Sequence, residues 1–182
     1  MDVKLAAILA AKTQPADAAE RIQLAQLCQR PCKGLYATSA RFYAEAFVAE
    51  PTLVDQASAV NRYNPNRYNA ACAAALAGTG QGKDAAQLGD AERARWRKQA
   101  LVWLRDDLAV HAERVQRGRP EALALVRQRL ELWQRDDDLM GIRDPAALAR
   151  LPAAEQAACT VLWADVSALL EKARTSQVKR AN

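Results

Sequence analysis

The chain has 182 residues, 51% of them hydrophobic, 26% charged and only 5% aromatic. That balance excludes a disordered chain and supplies enough residues for one domain with a sizeable core. The formal net charge is +5, but Asp and Glu alternate with the cations on most segments, as on solvated helix faces, so charge alone does not assign nucleic acid as a partner.

Alanine supplies much of the apolar count, and no strand-like alternation appears, so an all-α fold is predicted. Val3–Ala11 predicts a short helix ending before Gln14 and Pro15. Leu5–Ala11 is apolar but short, weakly basic in front, and lacks a convincing cleavage site for secretion. No run is long enough to cross a bilayer, so cytoplasmic residence without membrane contact is expected. Asp17, with Glu20 three residues on, has the pattern of a capping box. It opens a helix carrying Ile22, Leu24, Leu27 and Cys28 that stops before Pro31.

From about Lys33 to Ala49 two stripes lie side by side: Leu35, Ser39, Phe42 and Ala46, then Tyr36, Ala40, Tyr43 and Phe47. Two adjacent stripes predict a helix packed on more than one neighbour. Pro51 ends it and opens the next turn. The tetrapeptide Asn61–Asn64 recurs as Asn66–Asn69 around Pro65, which reads as a local duplication in a connector.

Residues 66–78 predict an alanine-rich helix ended by Gly78. Four glycines between Gly78 and Gly89 predict a flexible loop. A long helix follows from Asp90 to about Arg117, with Trp96, Ala100, Leu101, Leu104, Leu108 and Val115 along it and Gly118 as its stop. Pro120 opens a helix striped by Leu123, Val126, Leu130 and Trp133. Asp136–Asp138 and Gly141 mark a loop, and Asp144 before Pro145 caps a short helix. The last helix begins at Pro152 with Ala158, Leu162, Val166, Leu169 and Ala173 inward, and Thr175–Asn182 reads as a frayed basic tail.

Tyr68, Ala71, Cys72, Ala75 and Gly78 resemble the leading helix of a tetratricopeptide (TPR) hairpin: a large anchor, then small residues that admit a partner helix. Leu24, Leu27 and Cys28, followed by Ser39, Tyr43, Ala46 and Pro51, resemble another hairpin. The resemblance implies TPR-like stacked helical hairpins at about 17–51 and 66–117, with capping helices at about 119–175, in a single domain 1–182. Asp107 departs from the pattern, which prefers a small residue there.

The runs Leu24–Cys28, Ala40–Ala46, Arg67–Ala75, Gln99–Arg105, Asp144–Leu148 and Leu162–Asp165 also resemble the C-terminal repeat region of large multidomain bacterial serine/threonine protein kinases. The likeness extends from about Asp17 to Arg174. It implies a module that recruits or assembles proteins. The chain has no glycine-rich phosphate loop, no His-Arg-Asp motif and no Asp-Phe-Gly motif. Its one histidine, His111, is followed by Ala112 and Glu113. Without those groups phosphoryl transfer has no machinery, so no enzyme activity is expected.

The expected function is therefore a non-catalytic scaffold for a protein or peptide partner, with no cofactor. Tyr36, Tyr43, Tyr63, Arg67, Tyr68 and Asn69 are the candidate partner surface, Tyr43 and Tyr68 reading equally well as packing residues. The alternative is a nucleic-acid-binding basic helical protein. It would use Arg93, Arg95, Arg97 and Lys98 around an exposed Trp96. An inward Trp96 favours the solvated-face reading and argues against nucleic acid. Cys28 and Cys32 are separated by Pro31, and Cys72 and Cys159 sit among alanines, so no zinc site is expected. His111, late on a long helix, reads as a surface or capping residue, and Asp136–Asp138 as a solvated loop without calcium-loop spacing.

Overall fold

The computed structural model describes residues 1–56 and 65–181, with side chains through Ser176. Among these residues all regular elements are helical and none is a strand. The chain divides into two compact units, Met1–Ala100 and Leu101–Asn182, where one domain was predicted. The boundary falls inside a continuous helix, so no linker composition marks it.

The first unit holds α1 (Asp2–Leu9), α2 (Ala18–Gln29), α3 (Tyr36–Ala49), α4 (Asn66–Gly78) and the start of α5 (Asp90–Arg117). Asp17 caps α2, its carboxylate accepting the Glu20 amide at 2.7 Å. The Glu20 carboxylate accepts the Ala16 amide, one residue before the cap, so the start of the helix is closed from both sides. Gly34, at φ +60°, turns the chain back. Its left-handed backbone interrupts helical geometry, which moves the start of α3 to Tyr36 from the predicted Lys33.

α2 and α3 run antiparallel. The Leu35 amide donates to Cys28 O at the turn, Ser39 Oγ to Ala25 O further along, and Arg21 faces Glu45 at the far end. α2 and α4 instead run in the same direction. Gln26 Nε2 donates to Asn66 Oδ1 at 3.2 Å and Gln29 Nε2 to Asn69 O at 2.8 Å, both across 40 residues of sequence. Asn66–Asn69, read as connector, opens α4; the first copy, Asn61–Asn64 with Tyr63, lies outside the described residues.

Every residue from Ala70 to Gly78 is buried. A helix closed in all round must be small-sided, and here alanine provides that. α4 ends at Gly78, as predicted, and this glycine has a second task. A Cβ on it would lie 2.6 Å from Arg97 Cγ and 2.7 Å from Arg97 N, so it is glycine because α5 comes close. Gly80, at φ +77°, turns the chain just beyond the end of the helix. The Gln81 amide returns to Leu76 O and the Gly80 amide to Ala77 O, which closes the last turn.

The following loop is fastened rather than free. The Lys83 amide donates to Gly34 O at 2.8 Å and its Nζ to Cys32 O at 2.9 Å. The Asp84 carboxylate accepts the Ala37 and Thr38 amides, capping α3 from outside its own sequence.

The second unit holds the remainder of α5, then α6 (Pro120–Trp133), a 3-10 turn (Asp137–Ile142), α7 (Pro145–Leu148) and α8 (Ala153–Ala181). Gly118, at φ +63°, ends α5 as predicted. α6 and α8 are antiparallel: Gln134 Nε2 meets Ser167 Oγ, and Arg174 meets Glu131. Leu123, Val126, Leu130 and Trp133 are buried, as their spacing predicts.

On α8 the buried stripe is Cys159, Leu162, Val166, Leu170 and Ala173. It differs from the predicted stripe at two places, because Ala158 and Leu169 are only half-buried. The backbone predicted to fray from Thr175 remains helical to Ala181. Asp144 stands at the cap position of α7, but its carboxylate takes Arg143 Nε at 2.9 Å instead of a helix amide.

Candidate functional site

The five candidate surface residues that the structure describes are not all at the surface. Tyr43 and Tyr68 are 0% and 2% exposed, which makes them packing residues. Tyr43 OH donates to Gln29 Oε1 at 3.0 Å and shares a hydrogen bond with the Asn69 side chain. Gln29 in turn donates to Asn69 O. The result is a polar node joining α2, α3 and α4. Burial, first of all, raises the Tyr43 pKa well above its ordinary value, so the phenol stays neutral and keeps its donor.

Arg67 is drawn to Asp55 at 2.9 Å. Tyr36 is half-buried, and its ring lies against Gly82, where a Cβ would come within 2.7 Å of Cδ2. Tyr63 is outside the described residues.

The basic segment of α5 is organised around a buried indole. Trp96 is only 5% exposed, and the Arg95 guanidinium lies 4.9 Å from its ring centroid. Two neighbouring cations serve backbone carbonyls: Arg97 Nη1 donates to Gly78 O at 2.7 Å and Arg93 Nη2 to Ala85 O at 3.3 Å. Arg93 and Arg97 thus hold the end of α4 and the loop after it, and are not members of a freely solvated face.

His111 and Asp107 correct the sequence reading most clearly. Both are 3% exposed, whereas His111 was expected as a surface or capping residue and Asp107 only as a departure from the repeat pattern. His111 continues the Leu104–Leu108 stripe toward Val115, so periodicity alone puts it inward. Arg114 Nη1 lies 3.4 Å from His111 Nδ1. Arginine has only donors, so a hydrogen bond here needs Nδ1 as the acceptor, and His111 Nε2 faces Asp107 Oδ2 at 3.9 Å. The Trp133 ring stands edge-on to the imidazole at 6.0 Å.

Cys28, Cys72 and Cys159 are buried, and Cys32 is exposed. Burial pushes the Cys28 thiol up to about 12, with Asp84 adding to the effect, so it behaves as a small hydrophobe. Among the described residues no group of three or more His, Cys, Asp or Glu side chains could hold a metal ion, and no helix is long and apolar enough to cross a membrane.

A surface feature that the sequence reading missed lies on the outer side of α3. Arg21, Ala44, Glu45, Val48 and Ala49 line a shallow open depression of about 410 Å³. Val48 is 85% exposed, and Arg21 Nε stands 3.5 Å from Glu45 Oε2 at its edge. Such an apolar patch beside a charged pair can seat an apolar side chain of a partner and orient a neighbouring polar group. No family model, curated protein or solved structure matches the chain.

Proposed function

We propose that the chain is a non-catalytic protein-binding scaffold of TPR-like helical hairpins, acting in the cytoplasm, whose protein or peptide partner seats on the Val48 depression. The hairpin reading is supported by α2 and α4, which run in one direction at a constant 40-residue offset, with the return helix α3 between them in sequence. The resemblance to kinase repeat regions carries the same expectation: the module recruits, and any catalysis lies elsewhere. The leading helix α4 is closed in by its neighbours, so the partner surface is assigned to α3 and not to a groove along α4.

The exposure of Val48 carries the assignment. An exposed valine in a shallow apolar depression contributes nothing to the core and is available for contact. Affinity capture from the native lysate, with wild type and Val48→Glu compared side by side, tests it. A protein retained by wild type and lost by Val48→Glu, at unchanged melting temperature, is the expected result. Equal retention by the two proteins, or none by either, rejects the reading. Submicromolar binding of duplex nucleic acid at physiological salt, lost on Arg95→Ala with Lys98→Ala, would install the alternative.

A further inference from the structure

α1 is held differently from the other helices of its unit. Of its eight residues only Leu5 is buried; Ala7 and Ile8 are half-buried, and Val3 and Leu9 are exposed. A helix this short is not stable by itself in water, so its attachments decide whether it stays in place. Lys4 Nζ meets Glu20 Oε1 at 2.5 Å in the first turn of α2. Asp2 Oδ1 meets Lys33 Nζ at 2.7 Å beyond the end of α2. Both pairs are partly solvated, and salt screens such pairs.

The far end of α1 is strained. The Lys12 amide returns to Ala7 O and the Ala11 amide to Ile8 O, a closure whose pivot normally falls to glycine. Here the pivot is Ala11, at φ +55°, where a Cβ is disfavoured.

The geometry points to α1 as a releasable strap: it swings away at Ala11 while α2, α3 and α4 stay folded, and ionic strength sets the open fraction. Salt weakens the two ion pairs, and release frees Ala11 from its left-handed conformation. Burial of Leu5 is the main force opposing them.

Hydrogen exchange by mass spectrometry on the full chain tests this, with α4 peptides as the reference within each sample. At low NaCl, α1 is expected to exchange at least about tenfold faster than α4, because it opens without global unfolding. In 1 M NaCl (a round, high value at which the Debye length is about 3 Å) the gap widens. Ala11→Gly slows α1 about fivefold or more by removing the strained Cβ. Leu5→Ala accelerates α1 and leaves α4 unchanged. Exchange of α1 as slow as that of α4, or indifference to both salt and Ala11→Gly, would overturn the strap.

Discussion

Asp84 accepts the amide proton of Thr38 at 2.8 Å, across 46 residues of sequence. Its other carboxylate oxygen takes the Ala37 amide at 3.2 Å. α3 has no side-chain cap of its own, so the first-turn donors that would otherwise be orphaned depend on the loop that follows α4. The same carboxylate places negative charge at the positive end of the helix dipole.

Asp84→Ala should therefore destabilise the first unit by about 0.5–2 kcal/mol, the usual worth of a helix cap. Urea unfolding followed by circular dichroism checks it: the midpoint falls while the slope holds. Asp84→Asn, which keeps an acceptor but not the charge, should lose less. An unchanged midpoint in Asp84→Ala would show that water serves those amides equally well.

Gly78→Ala separates two roles for this glycine. If Gly78 only ended α4, alanine would be neutral or would stabilise by about 0.5–1 kcal/mol through helix propensity. With Arg97 N 2.7 Å and Arg93 O 3.0 Å from the new Cβ, backbone must move, and overpacking costs about 1–3 kcal/mol. The expected outcome is a less stable protein with a lower urea midpoint. A higher midpoint would show that α5 can retreat without penalty.

Asp138 gives stability a pH dependence of definite sign. Burial, reinforced by Asp136 and Asp137, raises its pKa from 3.8 to about 6. The folded state therefore binds this proton more tightly than the unfolded chain does. The stabilisation is fully present below about pH 3.8 and is lost as pH rises through about 6. Asp138→Asn should remove that trend. Relative to wild type it should gain on the order of 1–2 kcal/mol between pH 4 and pH 7, the full shift being discounted for partial exposure. Parallel denaturation curves across that range provide the measurement, and a constant difference between the two proteins would refute the assignment.

The helices themselves were legible because their signals are local. The Asp17 cap, the prolines that open the turn after α3 and the helices α6 and α7, and the Gly118 stop act within a few residues, and each appears where the sequence puts it. The 3.6-residue period of Leu123, Val126, Leu130 and Trp133 likewise names its own buried face. The same period held the position of His111, but the type of the residue suggested surface, and type was the weaker guide.

The candidate surface was less legible. An aromatic on a helix stripe looks the same in sequence whether it faces a partner or a neighbouring helix. Tyr43 and Tyr68 became packing residues only when α2, α3 and α4 came together. Val48 went unremarked because an isolated valine carries no sign of what lies opposite.

The amino-acid sequence by itself determined that the chain is all-helical, where most of its helices begin and end, and which stripe of α6 turns inward. These follow from capping, proline and glycine geometry and side-chain periodicity, which operate over one or two turns. Tertiary structure alone decided that Asp84 caps α3, that Gly78 makes room for Arg97, that α4 is enclosed, and that Asp107 and His111 are interior. Each of those depends on a neighbour distant in sequence or on how helices enclose a side chain. Burial and hydrogen-bond partnership are properties of the pair of surfaces that meet, so a single segment cannot specify them.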